Sequence, residues 1–165
     1  MIEYRIIQPK EKDKIVELIK AVTNGLERKD FFIPFPDEAI NEMLDNKRAI
    51  IYGAYDAGEL VGTSQLYLGD EFVEEIAKKA GIFGKRVAEF GGSLVLTEYR
   101  GKGIMKTFMK ILVEEAKRLQ FQYVVAVTHP ENYPAQKAIL SEGAHFICST
   151  ILEGYERNIY AVKLE

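Results

Sequence analysis

The chain has a single cysteine, Cys148, no tryptophan, and only two histidines, His129 and His145. A lone cysteine builds no disulfide framework, so a reducing cytoplasm is the expected compartment. Two histidines and one cysteine at these spacings do not make a structural zinc site, and no metal is expected. His145 and Cys148 fit a strand and His129 a loop at the sheet edge. No Ser-His-Asp or Cys-His arrangement declares itself, although His129 lies near the expected ligand cleft. Long apolar runs are missing as well. None approaches the ~20 residues of a membrane span, and Met1-Ile-Glu-Tyr-Arg-Ile-Ile enters a strand-like pattern without the layout of a signal peptide. A basic excess is also lacking: the net charge is −3 and the pI about 5.6. Phosphate contacts dominate nucleic-acid affinity, so neither a polynucleotide nor a membrane is an expected partner. A small phosphorylated ligand needs only a few local donors and stays open.

What is present is the ordinary balance of a globular protein, with 47% hydrophobic and 28% charged residues over 165 positions. That length fits one domain, residues 1–165, with no linker, repeat or low-complexity tract. Residues 3–8 alternate as a first strand. Ile15, Leu18, Ile19 and Val22 make the apolar stripe of a helix that closes near Asn24-Gly25. The apolar, proline-broken stretch 31–36 reads as an ordered loop. Asp37 caps a short helix whose apolar side is Ile40, Met43 and Leu44. Residues 49–55 and 60–68 are strands joined by the hairpin turn Asp56-Ala57-Gly58-Glu59. Within the insert 69–86, Phe72, Val73, Ile76, Ala77 and Ala80 form a helical stripe that stops at Gly81.

Residues 87–96 are the next strand, with Gly91-Gly92 in its middle. A long helix carries Ile104, Phe108, Ile111, Leu112, Ala116 and Leu119 on one face, and 123–127 is a short buried strand. Asn132 and Pro134 open another helix, which Gly143 closes. The strands 145–152 and 158–164 pair across Glu153-Gly154. The order predicts an α/β fold with a mixed sheet.

The informative segment is Ser93-Leu94-Val95-Leu96-Thr97-Glu98-Tyr99-Arg100-Gly101-Lys102-Gly103-Ile104-Met105. A strand enters a glycine-bearing turn that becomes the start of a helix. Helix N-termini present unpaired N–H groups and a partial positive charge, and both suit phosphate. Glycine lets the backbone approach a ligand closely, and Lys102 and Lys106 add charge. A dinucleotide fingerprint would need a third glycine where Lys106 stands, and no P-loop string occurs. The remaining readings are a coenzyme A pyrophosphate site, another nucleotide-binding module, and an ordinary glycine-rich turn.

Arg100-Gly101-Lys102-Gly103-Ile104-Met105 resembles the [QR]-x-x-G-x-[GA] signature of the GCN5-related N-acetyltransferase (GNAT) superfamily, with Met105 in the last small position. Tyr55-Asp56-Ala57-Gly58-Glu59-Leu60-Val61-Gly62 looks like that family's hairpin between its second and third strands. Asn132-Tyr133-Pro134-Ala135 through Gly143 looks like its Asn-led helix. The resemblance covers nearly the whole chain. It implies a mixed, mostly antiparallel twisted sheet of about seven strands flanked by four to five helices.

The same resemblance implies acetyl-CoA as cosubstrate and direct attack on it by a primary amine of a small-molecule or amino-acid-like acceptor. In that frame the Ser93 N–H polarises the thioester carbonyl, and the backbone at Leu94, Val95 and Leu96 pairs with the pantetheine arm. Arg100, Gly101, Lys102, Gly103, Ile104, Met105 and Lys106 hold the pyrophosphate, and Asn132 contributes to the cofactor site. Glu89 stands eleven residues before Arg100, where several members carry a catalytic glutamate; its alternative is a solvated strand carboxylate. The tyrosine that often protonates the leaving thiolate is replaced by Ile139, with Tyr133 as the substitute candidate. Gly91-Gly92 fits either a bulge exposing backbone donors or tight packing under a helix. Residues 31–35 and 69–86 fall where the family builds its acceptor pocket, or else plug the core. A catalytically silent acyl-CoA-binding regulatory domain is the alternative to the enzyme, and exposed strand edges leave room for a homodimer.

Overall fold

The computed structural model describes residues 1–31, 37–44 and 48–164, the side chains of residues 37 and 43 excepted. Residues 32–36 of the proline-broken loop, the Asp37 cap and the Met43 side chain therefore lie outside what is described. Seven strands form one sheet: β1 Ile2–Ile6, β2 Ala49–Asp56, β3 Glu59–Tyr67, β4 Val87–Val95, β5 Tyr123–Thr128, β6 His145–Leu152 and β7 Tyr155–Lys163. Five helices accompany it: α1 Lys12–Asn24, α2 Asp37–Leu44, α3 Glu71–Lys79, α4 Ile104–Arg118 and α5 Tyr133–Leu140. The strand order is β1-β2-β3-β4-β5-β7-β6. Every pairing is antiparallel except β4 with β5. The expected mixed, mostly antiparallel sheet is the observed one.

The two hairpins close as their sequences dictate. Ala57 and Gly58 have φ of 49° and 85°, and Glu153 and Gly154 have 50° and 83°. Two successive positive φ values match the right-handed twist of the flanking strands. β7 starts at Tyr155, three residues earlier than the apolar run suggests, because the tight turn needs only Glu153 and Gly154.

The helices divide between the sheet's faces. Ile104, Phe108, Leu112 and Ala116 of α4 and Ile139 of α5 pack on Ala54, Leu66, Ala88, Phe90 and Val124 in the largest core. On the other face, Ile15 and Ile40 from α1 and α2 cover Ala49, Ile51 and Tyr55, and Ile76 of α3 covers Val125, Ile159 and Ala161. Each buried Leu, Ile or Phe side chain contributes roughly 1.5–3 kcal/mol by leaving water. One polar group is embedded at the β1–β2 edge. Glu11 accepts from Arg5 at 2.9 Å, the Tyr55 hydroxyl at 2.7 Å and the Gln8 amide at 3.2 Å, and these donors hold its carboxyl down at about 2 against the opposing effect of burial.

A cleft where the sheet divides

β4 and β5 run side by side for only part of their length. Their ladder begins at Val87–Tyr123 and ends at Phe90–Ala126, although β4 continues to Val95 and β5 to Thr128. The cause lies in β4. Gln65 pairs with Gly91 and Thr63 with Leu94, so Ser64 alone faces both Gly92 and Ser93. The extra residue is a bulge, and Gly92 takes φ 62° to make it. A Cβ at Gly92 would lie 2.7 Å from the Gln65 side-chain amide nitrogen, so the position demands glycine for space as well as for conformation.

The bulge also reverses the alternation of β4. Ala88 and Phe90 face the α4 core before it, whereas Leu94 after it packs against Leu18 and Val22 of α1. Of the two sequence readings of Gly91-Gly92, the bulge is the one that forms.

Beyond the divergence the sheet opens into a cleft of about 1030 Å³. Its far end is the turn 97–103 and the start of α4. Thr97–Tyr99 is a single 3-10 turn whose Tyr99 hydroxyl donates to Asp56 at 2.6 Å. Gly101 and Gly103 have φ of 76° and 78°, and a Cβ on either would meet nothing within 4 Å. No side chain caps α4, and the first amide bonded back is that of Thr107, to the Gly103 carbonyl. Among the described residues, the amides from Gly101 to Lys106 have no acceptor. Such a ring of free donors at a helix start, with empty space above two glycines, fits a diphosphate.

Of the residues singled out by sequence, Glu89, Ser93, Leu94, Val95, Arg100, Gly101, Gly103, Ile104, Met105, Lys106 and Asn132 line the cleft. Leu96 instead donates its amide to Val61 and packs against the core, and Lys102 projects over the Tyr99 ring at 5.1 Å. Met105 leans on the α4 core, which leaves its size compatible with the turn. Asn132 caps α5, accepting from the Ala135 amide at 3.4 Å. Tyr133 is 67% exposed and not part of the cleft lining, while Ile139 is 1% exposed within the α4 core. The Ser93 hydroxyl pairs with that of Ser64 at 2.7 Å, which leaves the backbone of Ser93, rather than its side chain, as the group turned to other uses.

Glu89 is 5% exposed and has no cation within ion-pair distance among the described residues. Burial, with the Asp70 carboxylate adding, raises its ionisation to about 8. It is not a solvated strand carboxylate. The same surroundings push the Tyr67 phenol well above its ordinary range: burial first, then Glu89 and Asp70.

Of the two readings of the stretch 31–35 and the insert 69–86, lining agrees with Phe31, Asp70 and Phe72, which border the cleft. Sequence reasoning passed over Tyr67, Thr128 and Arg157, which line it too. Two signals were available. Thr63-Ser64-Gln65 is a polar run inside a strand, and Arg157 is a charged residue two positions before the apolar run 159–162. The Gln65 amide and the Thr128 hydroxyl have no hydrogen-bond partner among the described residues, an arrangement that costs about 1–3 kcal/mol per group and marks a polar wall built for something besides stability. His129 is buried at the end of β5, 3.0 Å from Asp30 and stacked at 4.8 Å on Phe31, whereas His145 and Cys148 sit in β6.

Comparison with known proteins agrees with this geometry. The architecture is similar to the N-acetyltransferase from Staphylococcus aureus Mu50, with 13% identity over 99% of this chain and 97% of that one and a TM-score of 0.76. A probable acetyltransferase from Staphylococcus epidermidis ATCC 12228 is 16% identical over 100% of both chains, with a TM-score of 0.77. NAA60 from Arabidopsis thaliana, solved in complex with acetyl-CoA, is 14% identical over 99% of each chain, with a TM-score of 0.76. At such identities these likenesses establish the fold. No curated protein matches the chain. The sequence itself matches the Acetyltransferase (GNAT) family across residues 21–141, a span that contains the bulge, the divided strands and the glycine turn, and the chain belongs to that family.

Proposed function

We propose that residues 1–165 act as one cytoplasmic domain that transfers an acetyl group from acetyl-CoA to a primary amine of a small molecule or amino-acid-like acceptor. The observation that carries this reading is the joining, in one cleft, of unpaired amides at 101–106 with a buried carboxylate at Glu89. The amides of the turn, with Arg100 and Lys106, would hold the diphosphate, and the freed edge of β4 at Leu94 and Val95 would pair with the pantetheine arm. The bound coenzyme supplies an activated acyl carbon on a thiol leaving group.

Catalysis by the protein is then largely the alignment of two reactants. Glu89 takes the proton of the acceptor ammonium, directly or through one water, once it is ionised itself. The freed amine forms a C–N bond to the acyl carbon as the C–S bond breaks, the sulfur keeps the electron pair, and the nitrogen's surplus proton leaves to water, so that an amide and a thiolate result. The Ser93 N–H donates to the carbonyl oxygen while charge grows there, a contribution of about 3 kcal/mol. Ile139 has no proton to give and Tyr133, the substitute candidate, lies outside the cleft lining, so the thiolate takes its proton from water.

That missing proton donor favours the second reading, a coenzyme-binding domain without turnover. Calorimetry with coenzyme A and thiol release with acetyl-CoA over a panel of amines separate the two. Binding with turnover on at least one amine is expected. Binding without turnover on any amine selects the silent domain, and absence of binding removes both.

A further inference from the structure

Arg157 is 2% exposed, yet it lines the cleft. Its guanidinium donates to the Asp30 carbonyl at 2.6 Å and the Glu156 carbonyl at 2.8 Å and lies 5.1 Å from the Tyr155 ring centre. No carboxylate is within ion-pair distance among the described residues. The Asp30 side chain, the nearest candidate, is occupied by Arg28 at 3.1 Å and His129 at 3.0 Å. Two of five donors are used, which leaves a planar fork suited to a carboxylate. Burying a cation is costly, and a neutral amide would serve as well if tying β7 to the loop before Phe31 were the whole purpose.

The sheet register adds a direction. Glu89 pairs with Val125 and Val125 with Ala161, and paired residues point to one face. Arg157 lies four positions from Ala161 on the same strand, hence on that face too. A buried carboxylate and a buried guanidinium therefore share one side of the cleft, the side that Phe31, Phe72 and Asp70 close.

We propose that Arg157 binds a carboxylate carried by the acceptor, so that the substrates are amino acids with a free carboxylate, not neutral amines or the amino ends of proteins. The proposal rests on the acetyl-transfer reading and narrows it. The matching test compares each of the twenty amino acids with its carboxamide and with a peptide beginning in the same residue, in wild type, Arg157→Gln and Arg157→Lys. Wild type should favour the best amino acid over its carboxamide by about tenfold or more in kcat/KM. Arg157→Gln should lower kcat/KM for that amino acid about ten- to a hundredfold, chiefly through KM, while the carboxamide and coenzyme affinity move less than about threefold. Arg157→Lys should recover part of the loss.

Equal use of the acid and its carboxamide by wild type overturns the proposal and leaves acetyl transfer standing; this comparison needs no variant to fold. A loss of both substrates together with thermal stability also overturns it, in favour of a structural tie. Should no acceptor be acetylated, calorimetry of the same amino acids with coenzyme A present decides: heat that disappears in Arg157→Gln keeps the carboxylate site without the reaction, and absence of heat removes it.

Discussion

A carboxylate that is 5% exposed, with the Asp70 charge nearby, holds its proton to about 8, against about 4.5 in the unfolded chain. Between those values the folded state binds the extra proton. Stability from this group is thus complete below about 4.5 and declines as pH rises through about 8. The proposed role runs the other way, since only the ionised form accepts a proton. Turnover at saturating coenzyme should climb toward a plateau above about pH 8 while the melting temperature falls over the same interval. Glu89→Gln should flatten both profiles. At pH 8 it should raise the melting temperature by ~2–4 °C, the equivalent of about 1 kcal/mol, and cut kcat at least about a hundredfold. Differential scanning fluorimetry and a pH–rate profile read the two effects; a variant that melts lower at pH 8 would refute the burial argument.

Among the elements, the bulged strand and the glycine turn place similar backbone demands in different surroundings. Gly92 and Gly101 have φ of 62° and 76°, so alanine costs about 1–2 kcal/mol at either. Only at Gly92 does the added carbon run into something, the fully buried Gln65 amide at 2.7 Å. Gly92→Ala should therefore lose about 2 kcal/mol or more, melt ~4–8 °C lower, and lose turnover as the splay closes. Gly101→Ala should melt within ~4 °C of wild type yet bind coenzyme A about tenfold more weakly. Chemical denaturation and calorimetry check the pair.

The same contrast explains what was legible beforehand. The turn was readable because Arg100-Gly101-Lys102-Gly103 carries its conformation in its own residues, and both hairpins were readable for the same reason. The helices announced themselves through stripes such as Ile15-Leu18-Val22. Gly91-Gly92 left two readings open because its outcome depends on Gln65, a partner on another strand. Arg157 escaped because cleft membership follows from which strands become neighbours, and β7 lies beside β5 only in the assembled sheet. Glu89 could be placed on a strand, but its dryness comes from the assembled sheet, where Tyr67 of β3 is its partner.

At the scale of the molecule, two blocks of sheet meet along a short seam. β1–β4 and β5–β7 share only the residue pairs from Val87–Tyr123 to Phe90–Ala126, with α4 bridging one face. A ligand held along the rest of β4 would join the two blocks. Saturating coenzyme A at about a hundred times its dissociation constant adds about 2.7 kcal/mol to the folded state. The melting temperature should then rise by ~5–10 °C, and the rise should vanish in a variant lacking the free amide turn. No shift at that concentration, with binding verified independently, would mean that the unfolded chain binds equally well.

The seam has one more consequence. Ile104 and Ala135 border the cleft on one face of the sheet, and Phe72 and Arg157 border it on the other. The cavity is therefore lined from both faces of the sheet, and groups bound on either side of it share one space.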